Sequence, residues 1–185
     1  MKTVIIGGVA GGASAAARLR RLDEKAEIVL LERGAYISFA NCGLPYYVGG
    51  TITEQSALTL QTPESFRRRF GIDVRVRSEV LAIDRAARTV AVRSLDAGRE
   101  YSESYDKLIL STGAEPLVPP IEGADLPGVY TLRTIPDALA LRGKVEALGP
   151  GRRAVIVGGG YIGVEMAENL VHAGLETTIV EMADH

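Results

Sequence analysis

The fold is decided by TVIIGGVAGGASAAARLRRL, residues 3–22, and by AVIVGGGYIGVEMAENLVHAG, residues 154–174. In each stretch a short β-branched run leads into a glycine cluster, and a helix-like segment follows. Eight of the 21 glycines lie in the two clusters, at residues 7–12 and 158–163. A second apolar run then ends in an acid, EIVLLE at Glu32 and TTIVE at Glu181. This order predicts a βαβ unit that is duplicated within the chain.

The second copy carries the complete dinucleotide fingerprint. Gly158, Gly160 and Gly163 form GxGxxG, and Glu181 follows 18 residues after the last of them. Glycines permit a tight turn and let a pyrophosphate approach the backbone N–H groups at a helix N-terminus. An acid about 20 residues further on accepts hydrogen bonds from the ribose hydroxyls. Its charge, like that of Glu32 in the first copy, would repel a ribose 2′-phosphate and favours NADH over NADPH.

The first copy departs from the fingerprint at one position. Gly7 and Gly12 are in register and Glu32 follows 20 residues after Gly12, but Val9 occupies the middle glycine position. The other glycines of GGVAGG are candidates to compensate. The two copies together predict two bound dinucleotides, and a flavin with a nicotinamide is the pair that fits.

The chain between the two copies has a different pattern. Thr62-Pro63-Glu64 opens a short helix over residues 65–70. DVRV, EVLAI, RTVAV and EYSESYDKLIL then predict small antiparallel strands, with residues 108–110 returning to the main sheet. Four prolines make the connection after Gly113 stiff and non-helical.

The predicted fold class is therefore α/β, with two Rossmann-like units. Residues 1–112 form a Rossmann-like FAD-binding unit with a small antiparallel β insertion and the cysteine segment. Residues 113–185 form a linker and the beginning of a second, NAD(P)H-binding unit. Because a Rossmann-type half continues with at least one more crossover, we expect the chain to be the N-terminal part of a longer protein.

The amino-acid composition argues against several classes of binding partner and site. The chain has 21 Lys and Arg against 23 Asp and Glu, a formal net charge of −2, which provides no field for nucleic acid or an anionic membrane. The uncharged stretch at residues 3–17 is too short and glycine-rich for a membrane span or a signal peptide. The single cysteine excludes a disulfide framework and a multi-thiolate zinc site, so no metal centre is predicted. We expect a cytoplasmic protein, because a lone thiol stays reduced there.

Cys42 lies ten residues after Glu32, in YISFANCGLPYYVGG. One interpretation is a buried structural cysteine. Two features favour a redox role instead. The segment follows the strand that carries Glu32, at the sheet edge where ligands bind in open α/β sheets, and Asn41 and Gly43 flank the sulfur instead of packing residues. No second cysteine is present, so the oxidised form would be a mixed disulfide with an external thiol, a persulfide or a sulfenic acid.

Four stretches carry a family resemblance: GGVAGGASAAARLRRLDE, ERGAYISFANCGLPYYVGG, YDKLILSTGAEP and VIVGGGYIGVEMAENL. Together they resemble the coenzyme A-disulfide reductase branch of the FAD-dependent pyridine nucleotide-disulfide oxidoreductases. This branch includes forms with an added rhodanese domain that reduce CoA persulfides or polysulfides. The resemblance covers the whole chain but less than half of a typical member, and it implies a homodimer for the full-length protein.

The resemblance also implies the site residues. In the family, the segments matching residues 7–32 and STGAEP bind FAD, and the segment matching residues 157–181 binds the nicotinamide dinucleotide. The cysteine matching Cys42 is the redox centre and holds CoA as a mixed disulfide. The implied cofactor-binding residues are Gly7, Gly8, Gly11, Gly12, Glu32, Arg33, Thr112, Gly113, Gly158, Gly160, Tyr161, Ile162, Gly163 and Glu181. The implied CoA contacts are Ser14, Arg18, Arg21, Ser38 and Asn41, and the alternative for the two arginines is a solvated helix face.

The predicted reaction is electron transfer from NADH through FAD to a small-molecule CoA disulfide, persulfide or polysulfide at Cys42. One alternative is an NADH oxidase or peroxidase in which Cys42 cycles through sulfenic acid. Ala10 stands where related peroxidases have a histidine in the first glycine turn, which argues against this alternative. Another alternative, for the isolated chain, is an inactive nucleotide-binding piece.

Overall fold

A computed structural model describes residues 1–184 of the chain. Its strands are β1 (Lys2–Ile6), β2 (Glu27–Leu31), β3 (Asp73–Arg75), β4 (Ser78–Asp84), β5 (Thr89–Ser94), β6 (Arg99–Ser104), β7 (Lys107–Leu110), β8 (Arg153–Val157) and β9 (Glu176–Val180). Its α-helices are α1 (Ala10–Leu22), α2 (Leu44–Val48), α3 (Pro63–Phe70), α4 (Ile135–Leu148) and α5 (Tyr161–His172). Short 3-10 turns occupy Asn41–Gly43 and Gln55–Leu58.

Contacts divide the chain into two compact units. The first consists of Met1–Phe39 and Thr59–Ala114, and the second of Ala40–Leu58 and the chain from Glu115 onward. Cys42 and the rest of Ala40–Leu58 thus group with the second unit, whereas the predicted range 1–112 includes them in the first.

The first unit is built on a parallel sheet with the strand order β3-β2-β1-β7. In the register of β1, Val4 lies between Val29 of β2 and Leu108 of β7. The predicted return of residues 108–110 to the main sheet is therefore confirmed. The prediction that DVRV forms an antiparallel strand is wrong, because β3 pairs parallel to β2. The helix α3 lies between them in the sequence, and parallel neighbours need such a crossover.

Different layers cover the two faces of this sheet. Ile5 and Leu30 lie in one core cluster with Phe66 and other residues of α1 and α3. Val4 and Val29 lie in a second cluster with residues of β5. Successive side chains of a strand point to opposite faces, so a strand buried on both faces needs the continuous apolar runs TVII and EIVLL.

The predicted antiparallel insertion is confirmed as the sheet β4-β5-β6. A buried carboxylate ties it to the parallel sheet. Glu103 of β6 pairs with Lys2 of β1 at 2.5 Å and also with Arg75 of β3. The insertion is therefore held over the apolar face of β1 and β2 both by packing and by charge.

The second unit contains the parallel pair β8 and β9, with Val155 opposite Thr178, and the helices α2, α4 and α5. The duplicated strand, turn, helix and strand are confirmed. Helix α4 was not predicted, although Thr134 and Asp137 form a capping box and Pro136 lies in the first turn. Within residues 1–184, no helix has both the length and the apolar character that a membrane crossing requires.

Candidate functional site

The first glycine turn is sterically closed to side chains. Gly7 has a φ of 100°, in the left-handed region that favours glycine. A Cβ placed on Gly7 would lie 2.1 Å from the carbonyl oxygen of Ser111, and one placed on Gly12 would lie 1.7 Å from the carbonyl oxygen of Gly7. The backbone of α1 thus comes directly against the end of β1, which is the close approach that a dinucleotide turn requires.

Helix α1 begins without a side-chain cap. Its N-cap residue is Val9, which makes no capping hydrogen bond. By contrast, α3 begins with a capping box between Thr62 and Ser65. The first N–H groups of a helix lack intrahelical partners and need an acceptor, and a phosphate group is one. The beginning of α1 therefore suits an anionic ligand.

Glu32, the acid of the first copy, is hydrogen-bonded to the first glycine turn. Glu32 directly follows β2, and its carboxylate accepts hydrogen bonds from the N–H groups of Gly8 and Gly34, both at 2.7 Å. An ionised carboxylate has about four acceptor positions, so these two bonds orient it and leave capacity for ribose hydroxyls. The sequence pattern did not reveal this orienting role.

The second turn repeats this geometry. Gly158 has a φ of 104°, and a Cβ on Gly163 would lie 2.0 Å from the carbonyl oxygen of Gly158. The N-cap of α5 is Gly160, again without a side-chain cap. The next two residues, Tyr161 and Ile162, are both exposed at the beginning of the helix.

Glu181 occupies the same position after β9 as Glu32 does after β2. Its carboxylate accepts hydrogen bonds from Gly159 at 2.6 Å, Met182 at 2.7 Å and Ala183 at 2.9 Å. Hydrogen bonds from Ala183, Gly159 and Met182 lower the pKa of Glu181. The group is therefore an ionised acceptor at neutral pH.

The segment after β7 borders the first turn. Ser111 donates its N–H to the carbonyl of Ile6, and its Oγ would lie 3.3 Å from a Cβ on Gly11. Gly113 has a φ of 70°, so the chain turns sharply there. Ser111 is a turn contact that the sequence reasoning missed, although it directly precedes Thr112 of STGAEP. Arg33 lies beyond the acid and is exposed.

Three of the predicted CoA contacts share one face of α1. Ser14, Arg18 and Arg21 are exposed and follow a spacing of four and three residues, which aligns them on a helix. Arg20 instead binds the carbonyls of Phe70 at 2.7 Å and Gly71 at 3.1 Å. Arg20 therefore has a structural role, whereas Arg18 and Arg21 are exposed on the helix surface.

Ser38 has an unusual backbone. Its φ is 44°, which a non-glycine residue rarely adopts. Its N–H donates to the carbonyl of Gly8 at 2.9 Å, and its carbonyl accepts from Leu60 at 3.0 Å. The strained residue is thus fastened to the first glycine turn within the first unit. Such strain is kept where surrounding hydrogen bonds enforce it.

Cys42 lies in the second unit, in the middle of the 3-10 turn Asn41–Gly43, and α2 begins directly after this turn. The thiol is exposed. This exposure does not fit the interpretation of a buried structural cysteine. The neighbouring Gly43 is buried, and a Cβ there would lie 3.3 Å from Ile52 Cδ1 and 3.1 Å from Leu58 Cδ2. The turn thus rests on an apolar floor and presents its sulfur outward.

No group of three or more His, Cys, Asp or Glu side chains among residues 1–184 is arranged to hold a metal ion.

Comparison with known proteins places these features in context. The sequence model of the pyridine nucleotide-disulphide oxidoreductases matches residues 1–185. The chain is 42% identical over 179 residues to the NAD(P)H coenzyme A polysulfide/persulfide reductase of Pyrococcus horikoshii, covering 97% of this chain and 39% of that protein. It is 37% identical over 183 residues to the NADH oxidase of Methanocaldococcus jannaschii, covering 99% of this chain and 40% of that protein.

One solved structure agrees over the whole fold. The crystal structure of reduced Bacillus anthracis CoADR-RHD superimposes with a TM-score of 0.95 and 52% identity, covering 99% of this chain and 33% of that chain. The chain therefore spans about two fifths of the length of the curated relatives named above, at 39% and 40%.

Proposed function

The chain belongs to the pyridine nucleotide-disulphide oxidoreductase family, and on this premise we propose that the full-length protein is an FAD-dependent NADH:disulfide oxidoreductase. Its substrate carries a CoA-linked sulfur–sulfur bond, as a disulfide, persulfide or polysulfide. The observation that carries the proposal is the exposed lone thiol of Cys42 at the beginning of α2, in a chain with two uncapped glycine turns.

FAD fits the first turn. The glycines leave room for a pyrophosphate at the uncapped beginning of α1, and Glu32 is oriented to accept from a ribose. The family resemblance adds Arg33, Thr112 and Gly113 to this site. When bound, FAD accepts a hydride from NADH and delivers two electrons to sulfur.

The second turn fits NADH for the same reasons. The three amides around Glu181 keep its carboxylate ionised and fixed. A fixed negative charge beside the adenosine ribose accepts from its 2′-hydroxyl and repels a 2′-phosphate. This charge supports NADH over NADPH as the reductant, with Gly158, Gly160 and Gly163 forming the turn.

Cys42 performs the sulfur chemistry. Its thiolate attacks one sulfur of R–S–S–R′, the Cys42–S–S–R bond forms, and R′–S⁻ leaves and takes a proton. Two electrons that originate from NADH then cleave this mixed disulfide, which returns the Cys42 thiolate and releases R–SH after protonation. For a CoA persulfide one of the released groups is hydrogen sulfide.

The CoA contacts are assigned residue by residue from the family resemblance. Arg18 and Arg21 lie one helical turn apart on the same helix as Ser14, and their guanidinium groups can bind phosphate. Ser38 and Asn41 both precede Cys42 in the sequence, and the family resemblance assigns them polar contacts to CoA. We assign these five residues to the CoA site on the family resemblance and on their exposure or polarity.

We also propose that the full-length enzyme is a cytoplasmic homodimer that binds neither nucleic acid nor a membrane. The near-neutral charge of this chain, with 21 basic and 23 acidic residues, supports the absence of nucleic-acid and membrane binding, because it offers no strong field to a polyanion.

The test uses the full-length flavoprotein and its Cys42→Ser variant. We expect the NADH-dependent reduction of CoA disulfide and CoA persulfide to fall to background in the variant, because the nucleophile is lost. The flavin absorbance and the reduction of the flavin by NADH serve as controls and should persist. Substantial turnover of either sulfur substrate by Cys42→Ser would overturn the assignment.

An NADH oxidase or peroxidase is the second candidate, supported by the similarity to the archaeal NADH oxidase. In this cycle Cys42 passes through a sulfenic acid. Consumption of NADH is measured with CoA disulfide, polysulfide, oxygen and hydrogen peroxide as acceptors. We expect a sulfur acceptor to turn over fastest, and a faster rate with oxygen or peroxide would reverse the ranking.

A further inference from the structure

Arg142 of α4 donates hydrogen bonds to backbone carbonyl groups of a distant part of the sequence. Its guanidinium donates to the carbonyl oxygens of Ile52 at 2.7 Å, Tyr47 at 3.1 Å and Thr53 at 3.3 Å. The same group lies 4.6 Å from the centre of the Tyr47 ring, and its Nε donates to Glu146 at 2.7 Å. Only 19% of the side chain is exposed.

These contacts converge on the segment that follows Cys42. Tyr47 lies in the last turn of α2, and its carbonyl also accepts the N–H of Gly50 at 3.2 Å, so Arg142 adds a side-chain donor from α4 to this helix end. Ile52 and Thr53 belong to the loop between α2 and the next 3-10 turn, where carbonyls also need donors. One planar guanidinium therefore fastens both the end of α2 and the loop to α4, and its positive charge suits a helix C-terminus.

The support reaches Cys42 through Ile52. The Ile52 side chain is part of the apolar floor beneath Gly43, 3.3 Å from the position of a Cβ there. Gly43 directly follows Cys42 and closes the 3-10 turn through its bond to Ala40 at 3.0 Å. The chain of contact runs from Arg142 to the Ile52 backbone, from the Ile52 side chain to Gly43, and from Gly43 to the turn that holds the sulfur.

We propose that Arg142 is a positioning residue for Cys42. This inference rests on the proposed function: Arg142 holds the turn so that the Cys42 sulfur keeps the geometry needed for attack on a disulfide. Lysine cannot replace it fully, because a single ammonium cannot stack on Tyr47, pair with Glu146 and bridge the carbonyls at once.

The experiment uses the full-length flavoprotein with Arg142→Met and Arg142→Lys, together with Arg93→Met as the matched control. Arg93 is 46% exposed and pairs with Glu100 on the antiparallel sheet of the first unit, so its loss removes an arginine ion pair within that unit and none of the contacts of Arg142. The reduced enzymes are mixed with CoA disulfide in a single turnover, and the rate is normalised to bound flavin.

We expect Arg142→Met to slow this step and kcat roughly tenfold with KM changed less than about twofold, because misplacing a reacting group by a fraction of an ångström has this scale of effect. Arg142→Lys should recover part of the rate, and Arg93→Met should match the wild type. Reduction of the flavin by NADH should be equal in all of them.

The outcomes separate the two proposals. If Cys42→Ser is inactive and Arg142→Met reacts at the rate of Arg93→Met, the positioning role is overturned while the proposed function stands. A lower melting temperature with a normal rate per flavin has the same meaning, since it marks a purely structural arginine. If Cys42→Ser still turns over, the proposed function and the positioning role fail together.

A second variant covers the case in which Arg142→Met does not fold. Ile52→Ala removes the apolar support beneath Gly43 and leaves every charge in place. We expect a slower single-turnover rate per flavin, with normal reduction of the flavin by NADH. A wild-type rate in both Ile52→Ala and Arg142→Lys would contradict the proposed path of support.

Discussion

The two glycine turns share their local geometry but not their surroundings. Gly7 and Gly158 have φ values of 100° and 104°, and each donates its N–H at 2.8 Å to the last residue of the neighbouring strand, Leu31 or Val180. The acid that follows each neighbouring strand accepts from the next glycine amide of the turn. Both turns therefore combine glycines with hydrogen bonds to the neighbouring strand and to the acid that follows it.

The strands beside the turns differ. Val4 in β1 is fully buried, whereas Val155 in β8 is 64% exposed. A Cβ on Gly7 would collide with the carbonyl group of Ser111, which follows β7. A Cβ on Gly158 would have no described atom within 4 Å apart from those of its chain neighbours. Among the described strands, β1 lies between β2 and β7 with apolar layers on both faces of the sheet, and β8 pairs with β9. The steric closure of the first turn therefore comes from the neighbouring chain at Ser111 as well as from the turn itself.

Gly7→Ala and Gly158→Ala are a matched pair of substitutions in the two turns. Both variants force alanine into a left-handed backbone, at about 1 kcal/mol. Gly7→Ala also drives a Cβ against the carbonyl of Ser111, which brings its total to about 3 kcal/mol because the packed strand cannot move aside. We expect the first variant to lower the melting temperature of the full-length protein and to lose FAD.

The measurement is thermal unfolding with flavin content followed in parallel. Gly158→Ala should keep its flavin and lose NADH affinity. A Gly7→Ala protein that keeps both its FAD and the melting temperature of the wild type would contradict the steric closure of the first turn.

The carboxylate of Glu103 anchors the antiparallel insertion to the parallel sheet of the first unit, and its charge can be removed by substitution. Burial raises the pKa of Glu103, but hydrogen bonds from Lys2 and Arg75, with their positive charges, outweigh it and lower the pKa below the ordinary 4.5. Glu103→Gln leaves the two cations without their shared carboxylate, and we expect a loss of about 2 kcal/mol, less than for a fully buried pair because both cations are partly exposed.

The pH dependence gives a second readout of the same anchor. A lowered pKa in the folded state means that Glu103 stabilises the fold above pH 4.5, and this stabilisation is lost as the pH falls through the folded value. The difference in unfolding free energy between wild type and Glu103→Gln should therefore shrink as the pH falls below 4.5 and through the lowered pKa of Glu103. A difference that grows as the pH falls would contradict the anchor.

The sequence predicted the features that depend on nearby residues. The two turns, their acids, α3 with its Thr62 cap and the antiparallel insertion follow from short motifs. The parallel pairing of β3, the grouping of Ala40–Leu58 with the second unit and the contacts of Arg142 were missed. Arg142 meets Tyr47 across 95 residues of sequence, and no local pattern encodes such a contact. Helix α4 was readable, since Thr134, Pro136 and Asp137 give the usual signals of a helix beginning.

Glu32 and Glu181 occupy equivalent positions in the two copies and can be neutralised separately. Glu181→Gln keeps the size of the side chain but replaces a charged acceptor of the Gly159, Met182 and Ala183 amides with a neutral one. Because charged hydrogen bonds are the stronger kind, we expect NADH to bind roughly fivefold more weakly, and the discrimination against NADPH to fall by a similar factor. Glu32→Gln is the matched control, and it should weaken FAD retention while leaving nicotinamide selectivity unchanged. Titrations of both variants with NADH and NADPH decide the matter: a selectivity change caused by Glu32→Gln instead of Glu181→Gln would exchange the two dinucleotide sites.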